Sequence, residues 1–68
     1  MKELKELEAL LKIELANQRG VSVDEIHGVD ASLVGMTIGT LYAIVLGHKS
    51  SLDELNKIIA RKKEALTR

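Results

Sequence analysis

Few residues of this chain carry chemistry, and their spacing decides what each can do. His27 and His48 are its two histidines, and Asp24 and Asp30 flank the first. An imidazole among carboxylates is the raw material of a metal site or an acid–base pair. Two histidines without any cysteine make a thin ligand set, however, and each adjoins a glycine where a helical pattern ends. Both read as surface histidines, with His48 placed where a C-terminal helix dipole favours its protonated form. Ser50 and Ser51 offer hydroxyls but no histidine–aspartate partners, so they read as helix caps rather than nucleophiles. Tyr42, the only aromatic residue, sits in an apolar run and reads as a packing side chain. The glycines match neither GxxxxGK[ST] nor GxGxxG. No catalytic residue, metal ligand set or cofactor site is predicted, and the chain reads as a non-enzyme.

The elements that would position these residues are helical. Over residues 2–19, Leu4, Leu7, Leu11 and Leu15 share a stripe with Leu10 beside it, and Glu8 and Lys12 form an i,i+4 pair. Gly20 supplies a left-handed stop, and Val21 can pack back on the helix. Ser22-Val-Asp-Glu25 has the capping-box pattern and predicts a short helical turn over Val23 to His27, halted by Gly28. Asp30 or Ser32 would cap the next element. Ser51-Leu-Asp-Glu54 is a second capping box, opening a helix over 52–67 after a Gly47–Ser51 loop. Leu52, Leu55, Ile59 and Leu66 share its inner face with Ile58 alongside. Lys62 intrudes on that face, where its stem can pack while the ammonium reaches solvent.

Sixty-eight residues make a single domain, 1–68, that is small for a self-sufficient core. Net charge is zero but divided. Residues 1–30 hold four basic against seven acidic side chains, net −3, and residues 31–68 hold six against three, net +3. Such halves attract within one fold or between subunits. A nucleic-acid partner would call for a stronger basic excess, and Arg61, Lys62, Lys63 and Arg68 read as a solvated helix end. The charged, amphipathic N-terminus is not a signal-peptide pattern, which predicts a cytoplasmic location.

One segment breaks with this composition. "ASLVGMTIGTLYAIVLG", Ala31 to Gly47, has no charge in a chain that is 29% charged. Read as a helix over 31–46, it places Ala31, Gly35, Gly39, Ala43 and Gly47 four apart. Such a ridge lets a neighbouring backbone come close. Leu33, Val34, Ile38, Leu41, Ile44 and Val45 also need cover. A membrane span needs about 20 apolar residues; this run is shorter and includes Ser32, Thr37 and Thr40, so a membrane-surface role ranks below burial against protein.

The stretch "GVSVDEIHGVDASLVGMTIGTLYAIVL" resembles the middle of an acyl or peptidyl carrier protein, with its "GVSVDEI" and "DASL" loop. "SLDELNKII" from Ser51 is similar to that family's last helix. The resemblance aligns Gly39-Thr40-Leu41 with the Asp-Ser-Leu whose serine carries phosphopantetheine. Here Thr37 stands for the preceding glycine, Gly39 for the aspartate and Thr40 for the serine, while Ile44 and Val45 replace the usual glutamates. The resemblance thus implies a degenerate carrier-like or docking module, of use in a multi-enzyme assembly line. Its alternative is a carrier modified at Thr40 by phosphopantetheine. A carrier backbone would make 29–38 a loop and start the helix near Gly39 or Thr40, whereas the residues themselves favour a continuous helix from about Ala31.

Taken together, these readings predict an all-α bundle of three main helices plus a short helical turn, completed by self-association. The predicted interface is Leu33, Gly35, Met36, Gly39, Tyr42, Ala43 and Leu46, and the partner is a second copy (a homodimer) or another helical protein.

Overall fold

The computed structural model describes residues 1–48 and 50–67 and is all-α: α1 (Lys2–Arg19), a 3-10 turn (Val23–Glu25), α2 (Val29–Gly47) and α3 (Ser50–Leu66). The leucine stripe explains α1. Leu4 and Leu7 are buried against Leu55 and Ile59 of α3, and Leu10, Leu11, Ile38, Leu41, Val45, Leu52 and Ile58 close around them. Burying one such leucine is worth about 1.5–3 kcal/mol, so this cluster supplies most of the cohesion in a chain with seven buried side chains among the described residues.

The first helix ends as its glycine requires. Gly20 is left-handed (φ 69°, ψ 32°); its N–H donates to the Asn17 carbonyl, and the Val21 N–H donates to the Ala16 carbonyl at 3.0 Å. That pair of bonds satisfies carbonyls the helix leaves open. The following turn is tighter and shorter than predicted, because Ile26 leaves helical geometry (φ −80°, ψ 104°) and is buried. The Ser22 hydroxyl donates to the Glu25 carboxylate at 3.2 Å instead of capping the backbone.

Gly28 (φ 67°, ψ −130°) opens α2, and the Ser32 N–H bonds its carbonyl. The helix therefore starts two residues before Ala31, and neither Asp30 nor Ser32 is its cap. Asp30 lies in the first turn, where its carboxylate meets Arg19 with two contacts of 2.8 Å. This bidentate pair ties the end of α1 to the start of α2. In α3, Ser50 is already helical, so Ser51 lies inside the first turn rather than capping it. The Gly47–Ser51 connection includes Lys49, which lies outside the described residues, as does Arg68 of the basic cluster.

The predicted charge division is used inside the fold. Lys62 bonds Glu14 at 2.7 Å, and Lys63 pairs with Glu6. These two lysines are thus interhelical partners of α1 rather than part of a solvated end. The helix α1 packs along both α2 and α3, whereas those two contact each other less, with Ile38, Leu41 and Val45 facing Leu52, Leu55 and Ile58 around the shared cluster. The result is a slab of 36 × 28 × 15 Å with a radius of gyration of 12.4 Å, against about 11 Å for a compact chain of this length.

A candidate interaction surface

The polar residues that sequence singles out are brought to no common site. His27 and His48 are both exposed, at opposite ends of α2. Asp30 is held by Arg19, and no group of three histidine, aspartate or glutamate side chains among the described residues is placed to share a metal ion. The Thr40 hydroxyl donates to the Met36 carbonyl at 3.0 Å from the middle of α2. The backbone over 29–38 is helix, as the residues favour, and not the loop of the carrier-like alternative.

What the fold does assemble is a surface. The inner side of α2 is Val34, which is buried, with Ala31, Ile38, Leu41 and Val45 half-buried. Every residue of the predicted interface lies on the rest of the helix and is exposed: Leu33, Gly35, Met36, Gly39, Tyr42, Ala43 and Leu46. Met36 is 69% and Leu46 67% exposed. Sequence reasoning missed Val29, at 75%, and kept Ile44, at 50%, out of the interface. Val29 precedes Leu33, Met36, Thr40, Ala43 and Gly47 at helical spacing. Extending the helix back to Gly28 would have found it.

The glycines of the predicted interface are open on their outer side. A Cβ at Gly35, Gly39 or Gly47 would meet no described atom within 4 Å. None of the three therefore admits a neighbouring backbone of this chain. The ridge faces outward, while α1 and α3 reach the helix from the other side.

The same helix is nearly free of charge, and two of its exposed hydroxyls are bonded within it. Asp30 is the only charge in α2. The Thr37 hydroxyl donates to the Leu33 carbonyl at 2.9 Å, as Thr40 does to Met36. Hydroxyls bonded to their own helix cost little when water is removed. The exposed area is also large. The chain has 4878 Å² of accessible surface, where a folded monomer of 7.5 kDa has about 4,250 Å². The excess is about 600 Å² on that scaling.

By length and composition α2 can also cross a bilayer. Its 19 residues exceed the uncharged run by the first two positions, and almost none of it is buried. No family model matches the sequence, and neither the curated proteins nor the solved structures provide a match.

Proposed function

We propose that the protein is a non-catalytic association module that works by burying the outer face of α2 against another helical surface. The observation that carries this reading is an apolar 19-residue helix left largely exposed on a slab-shaped fold. Exposed apolar patches of this extent mark interaction sites in soluble proteins. The surface in excess of that of a compact chain of this mass, about 600 Å², is of the same order as the roughly 800 Å² that each partner buries in a standard interface. The partner is protein, either a second copy or another helical chain, and the binding energy comes from apolar area together with close approach at the glycines.

Sedimentation equilibrium without detergent, over a wide concentration range and with Gly39→Leu beside Lys57→Ala, tests this. The expected result is a concentration-dependent assembly that Gly39→Leu abolishes. Lys57→Ala leaves it intact, since Lys57 pairs with Glu54 on the exposed side of α3, not on the α2 face. Equal behaviour of the two variants sinks the reading.

A second reading has one observation in its favour: α2 is about 28 Å long at 1.5 Å per residue, close to the hydrocarbon thickness of a bilayer. In that case lipid, not protein, covers the face. Flotation with phospholipid vesicles then carries the chain upward, and a chain left at the bottom removes this reading.

A further inference from the structure

The outer face of α2 is built to fit a copy of itself in one orientation. We propose that two chains pair through α2 in antiparallel, two-fold symmetric fashion, with Gly39 at the axis. This rests on the association reading above and adds the partner and its geometry.

Position relative to Gly39 supplies the first argument. Four residues either side are Gly35 and Ala43, three either side are Met36 and Tyr42, and seven either side are Ser32 and Leu46; all six are exposed. A two-fold axis between antiparallel helices keeps each side chain on its own flank and inverts its height. Met36 therefore meets Ala43 of the second copy, and Tyr42 meets Gly35. Each large side chain lands on a small one, twice over by symmetry, as a self-complementary patch requires. Gly39 faces its own copy, and its open side, with no described atom within 4 Å, permits an interaxial distance near the lower end of about 8–10 Å.

Helix dipoles and like-charge separation favour the same direction. The start of α2 follows Asp24 and Glu25, which form no ion pair among the described residues, while exposed His48 follows its end. Antiparallel pairing keeps Asp24 and Glu25 of the two copies apart and opposes the two helix dipoles favourably. Parallel pairing sets acid against acid. The helix spans Val29–Gly47, so an axis at Gly39 keeps nearly its whole length in contact. The uncovered excess of about 600 Å² per chain is of the order that each partner buries in a stable dimer.

The absence of cysteine makes the geometry testable by cross-linking. Ser32→Cys and Leu46→Cys are prepared separately, since both sites are exposed and far from the core. Within one helix the two positions are about 21 Å apart, beyond the reach of a disulfide. Mild oxidation of the equimolar mixture is expected to convert most of the protein to a 32–46 linked dimer, with neither variant linking to itself. Self-linking of each variant without mixed product shows a parallel pair, which overturns the orientation and leaves association standing. A sedimenting dimer that cross-links in no combination overturns the α2 interface. A chain that stays monomeric at every concentration overturns the association reading together with this one.

Discussion

Individual residues divide cleanly between those that hold the fold and those that decorate it. Leu7 is 2% exposed at the centre of the α1–α3 contact, so Leu7→Ala should cost about 2–5 kcal/mol as lost transfer energy plus an unfilled cavity. The Lys62–Glu14 pair is closer to solvent, with side chains 26% and 39% exposed. Pairs of that kind contribute about 0–1 kcal/mol, to which the packed lysine stem adds a little. Urea unfolding should therefore place Lys62→Ala much nearer the parent than Leu7→Ala. Gly39→Leu runs the other way in the isolated chain. The added side chain meets no described atom within 4 Å of its Cβ, and replacing an interior helical glycine recovers about 0.8–1 kcal/mol of helix propensity. A variant that is more stable as a monomer yet fails to assemble would separate folding from association at a single position. A loss of monomer stability at Gly39→Leu would mean that the glycine faces a neighbour within the fold.

At the scale of elements, the two positive-φ glycines among the described residues both serve the connection that folds α2 back on α1. Gly20 is in the left-handed helical region, which a side chain tolerates at a cost of about 1 kcal/mol or somewhat more. Gly28, at φ 67° and ψ −130°, is in territory that only glycine visits readily. Gly28→Ala should accordingly destabilise by more than Gly20→Ala, about 2–3 kcal/mol against about 1 kcal/mol, with urea midpoints showing the order. The helices themselves are legible in the residues. Leu4, Leu7, Leu11 and Leu15 give α1 its bounds together with Gly20, and Leu55 and Ile59 reveal the buried side of α3. What the residues conceal are local competitions. Ser22, Asp30 and Ser51 all look like caps, yet Ser22 and Asp30 bond to Glu25 and Arg19 side chains, and Ser51 falls inside its helix. Pairing across space, as between Asp30 and Arg19, leaves no periodic trace. Lys62 and Lys63 illustrate the same limit, since nothing along the chain announces Glu14 and Glu6 opposite them. The small residues Gly35, Gly39 and Ala43 do mark the outer side of α2, but the exposure of Val29 stays hidden because it depends on where the helix begins.

The whole molecule is a slab with a thin core and an uncovered flank, and its energetics should reflect both. A small chain with a limited buried interior gains stability from anything that binds only its folded form, in proportion to partner concentration. If the partner is a second copy, raising the protein concentration should raise the midpoint of thermal unfolding. The Gly39→Leu variant should unfold at a temperature independent of concentration. Calorimetric scans at several loadings distinguish these outcomes, and a parent chain whose midpoint stays fixed would argue against any link between folding and self-association. The bulk of the fold, in contrast, rests on α1, which both other helices contact more extensively than they contact each other.

This arrangement leaves α2 with two separable assignments. Val34, Ile38, Leu41 and Val45 face the interior, whereas Gly35, Met36, Gly39, Tyr42, Ala43 and Leu46 are exposed and belong to no core cluster among the described residues. Mutation can rewrite the second set without disturbing the first. On the proposed association reading, partner preference drifts or is re-engineered through half a dozen codons while the scaffold beneath them is inherited unchanged.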